Sequence, residues 1–268
     1  MPPLFLVDAF TQSPFGGNPA VVCLLDHAAP DSWMQSLAME MNQAETAFVY
    51  PEQRWMVLRW FTPRCEVDLC GHATLAAAFI LWQQQRVARD QEIVLQTRSG
   101  ALRATLLGDG RIELDFPLES ASVEEPPAGY EHALGLTRPP ISVLRNRMDW
   151  LVHVDGAEEL RQLSPDFPSL ARLPGRGWII TSGSDDPRYD FLSRFFGPSV
   201  GIDEDSVTGS AHCCLVSYWS EILSKSKLVG YQASRRGGVV TVESHGSRAI
   251  LSGHAALVFS GHCHASWR

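Results

Sequence analysis

No apolar run in this sequence is long enough to cross a bilayer; the longest, Ala73 to Trp82, is about half of a membrane-spanning helix. No basic run exceeds two or three residues and the net charge is −8. That argues against a nucleic-acid surface, because phosphate contacts need clustered lysine and arginine. The stretch from Met1 to Asp8 is apolar but short, and it lacks the basic start of a signal peptide. A cytoplasmic protein with no membrane contact is the expectation. Cysteine is scarce. Cys23, Cys65, Cys70, Cys213, Cys214 and Cys263 fit neither zinc-ligand spacing nor a disulfide framework, so reduced thiols and no metal are expected. The tail Gly261-His262-Cys263-His264 reads as a frayed terminus rather than a metal site.

What the sequence does hold is one pattern twice. Phe61-Thr62-Pro63 is followed by Asp68 and then by Cys70-Gly71-His72-Ala73. Phe196-Gly197-Pro198 is followed at the same spacing by Asp203, and then by Asp205 and Thr208-Gly209-Ser210-Ala211-His212. Each copy runs into an apolar segment, Ala73 to Trp82 or Ala211 to Trp219. A helix that is apolar nearly all round must be enclosed. Strand-like stretches surround both copies, and the alternating helices of a doubly wound sheet are missing. The pattern predicts an α+β fold of two matching halves, each a curved sheet wrapped round one helix, with a cleft between them. The stretch from Glu119 to Gly129, rich in proline and acid, reads as the linker, giving halves at 1–118 and 119–268. Asp31 reads as the N-cap of a helix ending near Asn42.

Candidate chemistry gathers at the two glycine turns. A helix start leaves N–H groups unpaired and carries partial positive charge, and glycine lets a ligand approach it closely. Gly71-His72-Ala73 and Gly209-Ser210-Ala211 therefore each have the form of a carboxylate cradle. Glu45 stands between a helix end and an apolar strand, where burial raises a carboxyl pKa and suits it to shuttling protons. The matching place in the second half, around Gly175-Arg176-Gly177-Trp178, has no acid. His72 can donate, accept or carry charge near neutrality. Asp205 is read either as a substrate contact or as an N-cap, and Asp203 and Glu204 beside it as solvated. Cys70 at a helix start would have a depressed pKa and could act as a base. Thr208 stands at its counterpart position, which weakens a scheme with two thiols.

Five stretches resemble the phenazine-biosynthesis isomerase (PhzF-like) family: Phe15-Gly16-Gly17-Asn18-Pro19-Ala20, Asn42 through Phe48, Phe61 through Thr74, Glu204 through His212, and Gln232 through Gly238. They occur in the family's order along nearly the whole chain. The resemblance implies the diaminopimelate-epimerase-like fold, two pseudo-symmetric barrels each around a central helix. It also implies isomerisation without a cofactor, and a homodimer. It places Glu45 on the catalytic acid/base, and Gly71, His72, Asp205, Gly209 and Ser210 on substrate-contacting positions. Two departures stand out. The family's serine before the glutamate is Ala44 here, which puts the phenazine precursor in doubt as substrate. A proline of the second motif is Ser206.

The expectation is a cofactor-independent isomerase of a small cyclic or unsaturated carboxylate. Glu45, His72 and Asp205 do the chemistry, and Gly71, Ala73, Gly209 and Ser210 hold the substrate. Two alternatives stay open: a racemase or dehydratase using Cys70 as base, and a binding protein that kept the fold.

Overall fold

Strand pairing follows the same order twice along the chain. In the computed structural model, which describes residues 1–267, β1 (Pro3–Ala9) pairs antiparallel with β2 (Asn18–Leu24). After helix α1 (Asp31–Met41), β3 (Glu45–Glu52) lies parallel to β2. β4 (Trp55–Phe61) returns antiparallel to β3 and carries the short β5 (Glu66–Val67). Helix α2 (Gly71–Gln83) follows, and β6 (Ile93–Thr97) lies parallel to β4. β7 (Gly100–Leu106) and β8 (Ile112–Pro117) then add antiparallel strands.

After β9 (Ser122–Val123) and α3 (Tyr130–Leu134), the order repeats. β10 (Ser142–Arg145) pairs antiparallel with β11 (Asp149–His153). Two short helices, α4 (Ala157–Gln162) and α5 (Phe167–Leu170), lead to β12 (Gly177–Gly183), parallel to β11. β13 (Phe191–Gly197) is antiparallel to β12 and carries β14 (Ile202–Asp205). Helix α6 (Gly209–Leu223) follows, and β15 (Lys227–Gln232) lies parallel to β13, with β16 (Gly238–His245) antiparallel beyond it. β17 (Arg248–Gly253) and β18 (Ala255–His262) complete the chain. The duplicated sequence pattern is thus a duplicated run of strand pairings, with α2 and α6 in matching places. The architecture is mixed α+β.

The chain divides into two compact units. One is Met1–Phe116 together with the C-terminal residues from Ser252, and the other is Pro117–Leu251. Sequence reading places everything after residue 118 in the second half. The structure instead returns β18 to the first unit, because β18 pairs with β1 from Pro3↔His262 to Ala9↔Ala255. The tail is correspondingly docked rather than frayed: the Trp267 ring lies 4.4 Å from that of Trp33. The expected linker also does structural work. Leu144 and Arg145 of β10 pair with Val123 and Ser122 of β9.

In the first unit α2 is buried on every side, from His72 through Ala78 and again from Ile80 to Trp82. It packs on β1, β2, β3 and β18. A second cluster, including Met34, Leu37, Phe48 and Phe61, lies under α1. At roughly 1.5–3 kcal/mol for each fully buried large apolar side chain, these contacts fix the helix start that carries His72. In the second unit α6 is buried from Ala211 through Val216, while its last turn reaches solvent at Glu221 and Ile222. Trp150, Trp178 and Phe196 anchor that unit's core. One cap differs from expectation. Pro30 is the N-cap of α1, and Asp31, its first residue, accepts a hydrogen bond from Arg59 at 2.7 Å.

Candidate active site

The loop between β1 and β2 sets the position of Asn18. Gly17 has φ +60°, and a Cβ there would sit 2.0 Å from the Ala9 carbonyl oxygen, so no other residue fits without moving the backbone. Phe10 and Phe15 also adopt positive φ, and buried Asp8 accepts the Phe15 N–H at 2.7 Å. Asn18, 1% exposed, follows as the first residue of β2. Its amide nitrogen lies 3.3 Å from Nδ1 of His72. This contact holds the ring with Nε2 turned toward Glu45.

His72 is the second residue of α2, and its Nε2 faces Oε2 of Glu45 at 3.0 Å. Glu45 opens β3, placed there by the left-handed Asn42 that ends α1 and by parallel pairing with Ala20. Its side chain is 12% exposed. Oε2 and Nε2 are both buried, and neither makes a well-directed hydrogen bond with any group. Cys70, the residue before α2, brings Sγ to 3.5 Å from His72 Nδ1 and is itself buried. Glu45, Cys70 and His72 place one ligand-type atom each within 4.8 Å of one another, a donor set suited to a thiophilic divalent cation.

The electrostatics of this cluster correct two expectations. Burial pushes the Glu45 carboxyl up, but the charge of His72 and the close polar contacts of His72 and Cys70 outweigh it and hold Glu45 below the ordinary carboxylate value. Burial alone, the sequence argument, gives the wrong sign. His72 is the converse: burial opposes its charge, and its contacts with Cys70 and Glu45 outweigh that and hold its pKa well above the usual imidazole value. Cys70 was expected to be a depressed thiol. Burial and the neighbouring Glu45 charge push it up instead, against a smaller opposing effect of His72.

The remaining candidates divide between the units. Gly71, His72 and Ala73 form the first turn of α2, and the Ala73 methyl is wholly buried, leaving only backbone for a ligand. Asp205, Gly209 and Ser210 lie in the second unit. Asp205 ends β14, and Thr208 rather than Asp205 is the N-cap of α6. The Thr208 hydroxyl donates to Oδ2 of Asp205 at 2.6 Å, and buried Gln232 donates to the Asp205 carbonyl at 2.8 Å. Glu204, expected in solvent, is bound by both Nε and Nη2 of Arg194, at 2.7 and 3.0 Å. Ser210 accepts a hydrogen bond from Nη2 of Arg176 at 2.9 Å. Arg176 in turn forks onto Asp149, which has no solvent exposure, through Nε at 2.8 Å and Nη2 at 2.5 Å. His212 donates from Nδ1 to the Thr208 carbonyl at 2.8 Å, and burial pushes its pKa down to about 4 despite that bond, so it stays neutral.

Sequence reading did not single out Asn18, Arg176 or Asp149 as site residues. Asn18 was visible only as a turn residue. Arg176 and Asp149 carry no local signature, and only the parallel pairing of β11 with β12 brings them together.

A family model described as phenazine biosynthesis-like protein matches residues 7–261. A Halalkalibacterium halodurans protein named as an uncharacterized isomerase is 48% identical over 258 residues, 96% of each chain. The crystal structure of a PhzF-family phenazine biosynthesis protein from Enterococcus faecalis matches with a TM-score of 0.93 and 39% identity, over 98% of this chain and 99% of that one. A hydroxyproline epimerase from Agrobacterium vitis matches with a TM-score of 0.64 over 97% of this chain and 90% of that one, at 12% identity, a likeness of fold alone.

Proposed function

This chain belongs to the phenazine biosynthesis-like protein family, and on that premise we propose that it is an isomerase that moves a proton between carbons of a small cyclic or unsaturated carboxylate, with Glu45 as general acid/base. The observation that carries this reading is the buried, poorly directed contact between Glu45 and His72. A carboxylate and a protonated imidazole face each other almost without solvent, each with an oxygen or nitrogen free to turn toward a ligand.

Glu45 rests as the carboxylate, the form that takes a proton from carbon. Its low proton affinity depends on His72. When His72 turns its Nε2–H to an oxygen of the substrate, Glu45 loses that contact and burial weighs more heavily on it, so its affinity for a proton rises as the carbon acid gives one up. Glu45 then returns that proton at a second carbon. Asn18, in contact with Nδ1, holds the His72 ring with Nε2 toward Glu45. In the second unit, Asp205, Gly209 and Ser210 are the proposed contacts to polar groups of the substrate. Each unit is read as a barrel-like sheet round its helix, an arrangement that holds such groups on rigid elements.

The reading is tested by incubating the protein in deuterium oxide with a panel of cyclohexene, cyclohexadiene and aromatic carboxylates, following deuterium entry at carbon by NMR. Exchange by the wild type that Glu45→Gln abolishes supports it. Exchange retained by Glu45→Gln excludes Glu45 as the acid/base.

A further inference from the structure

The two units repeat three contact positions as well as their strand pairings. In the first, the residue opening β2 (Asn18), the residue opening β3 (Glu45) and the second residue of α2 (His72) come together. In the second, the residue opening β11 (Asp149), the residue just before β12 (Arg176) and the second residue of α6 (Ser210) come together. Glu45 follows Asn18 by 27 residues, and Arg176 follows Asp149 by 27. In strand register Arg176 stands one residue before Gly177, the second unit's counterpart of Glu45: Thr46 faces Phe61 as Trp178 faces Phe196. The chemistry has changed. The first trio contains a pair that can trade a proton. The second contains a guanidinium, which keeps its charge at any working pH.

We propose that Arg176 is a positioning residue that turns Ser210 into a hydrogen-bond donor for a carboxylate of the substrate, a role that rests on the carboxylate-isomerase reading above. The Ser210 oxygen accepts from Nη2 of Arg176 at 2.9 Å. A hydroxyl has one hydrogen, and among the described residues no acceptor takes the one on Ser210. It is therefore free for a ligand oxygen. Arg176 cannot drift from this arrangement. Its Nε and Nη2 are forked onto Asp149, and its plane lies over the Phe195 ring, with Cζ 5.4 Å from the centroid. Nη1 has no partner among the described residues, and about a third of the side chain is exposed, so a ligand oxygen on Ser210 can also meet the guanidinium edge. Asp149 neutralises the overall charge, so recognition depends on the geometry of two donors rather than on general attraction for anions.

Benzoate and its neutral analogue benzamide serve as probes, with binding to the full-length chain measured by calorimetry. The wild type is expected to prefer benzoate. Arg176→Gln and Ser210→Ala are each expected to weaken benzoate about tenfold or more, with benzamide unaffected. The double substitution is expected to lose no more than either alone, because the two act as one unit. Arg176→Lys keeps the charge without the fork and is expected to fall between, which decides the matter if the Gln variant does not fold. Unchanged benzoate affinity in the Gln or Lys variant, additive losses, or a wild type indifferent between the probes would each overturn the proposal. Its failure is separable from that of the reaction. Deuterium exchange through Glu45 with benzoate binding independent of Arg176 sinks only this inference. Binding through Arg176 with exchange that ignores Glu45 sinks only the reaction.

Discussion

Oε2 of Glu45 and Nε2 of His72 lie 3.0 Å apart, one at the start of a strand and the other in the first turn of a helix, and neither finds a well-directed hydrogen bond. Held this way, the pair favours the ionised state through charge, while its hydrogen-bonding capacity stays available.

Replacing Glu45 by Gln is expected to lower turnover by about 100- to 10,000-fold, the usual contribution of a general acid/base. The amide is nearly isosteric, so ligand binding should stay near that of the wild type. Solvent deuterium incorporation and ligand titration separate the two effects. Loss of binding in step with loss of exchange would mark Glu45 as a binding group only.

Stability should carry a signature of the same pair. His72 is raised above its ordinary 6.5, so its contribution is full below that value and is lost as pH climbs through the folded-state pKa. Glu45 is held below its ordinary 4.5, so its contribution is full above that value and is lost as pH drops through the folded-state pKa. The destabilisation caused by Glu45→Gln is therefore expected to be largest between about pH 4.5 and 6.5, and smaller on either side. Urea unfolding of both proteins across pH measures this. A penalty that does not vary with pH would mean the pair is not ionised as described.

Gly17→Ala should disturb the site from outside it. The new methyl would meet the Ala9 carbonyl oxygen at 2.0 Å, at a φ that alanine avoids. The expected cost is about 2 kcal/mol or more in urea unfolding. The His72 ring resonances should shift too, because Asn18 is the next residue. A stability loss with unchanged His72 resonances would show that the loop and the site are independent.

Thiol alkylation distinguishes Cys70 from a catalytic nucleophile. Cys65 is exposed, whereas Cys70 is buried and its pKa is raised by burial and by Glu45. Iodoacetamide on the native protein is expected to label Cys65 first and leave Cys70 until unfolding, as read by peptide mass spectrometry. Rapid labelling of Cys70 that a bound carboxylate prevents would favour the thiol as base.

Much of the fold was legible because its signals are local and repeated. The motif around Gly71 and its copy around Gly209 marked both buried helices, and Asn42, left-handed at the end of α1, marked the step into Glu45. Other features depend on partners far away in sequence. The pairing of β18 with β1 is invisible locally, so the C-terminal strand was assigned to the wrong half. The protonation balance at Glu45 could not be read from its burial alone, because the partner that reverses it sits 27 residues away. Arg176 has no local signature, because its partners Asp149 and Ser210 lie 27 and 34 residues away in sequence.

The return of β18 to β1 has a consequence for biogenesis. Every strand of the second unit from β9 through β16 leaves the ribosome before β18 is made, while β1 waits for its outer neighbour. The unit bearing Glu45 and His72 starts first and finishes last. During synthesis the edge of β1 that β18 will cover stays open, and a chain arrested before residue 255 would expose it to association with other nascent chains.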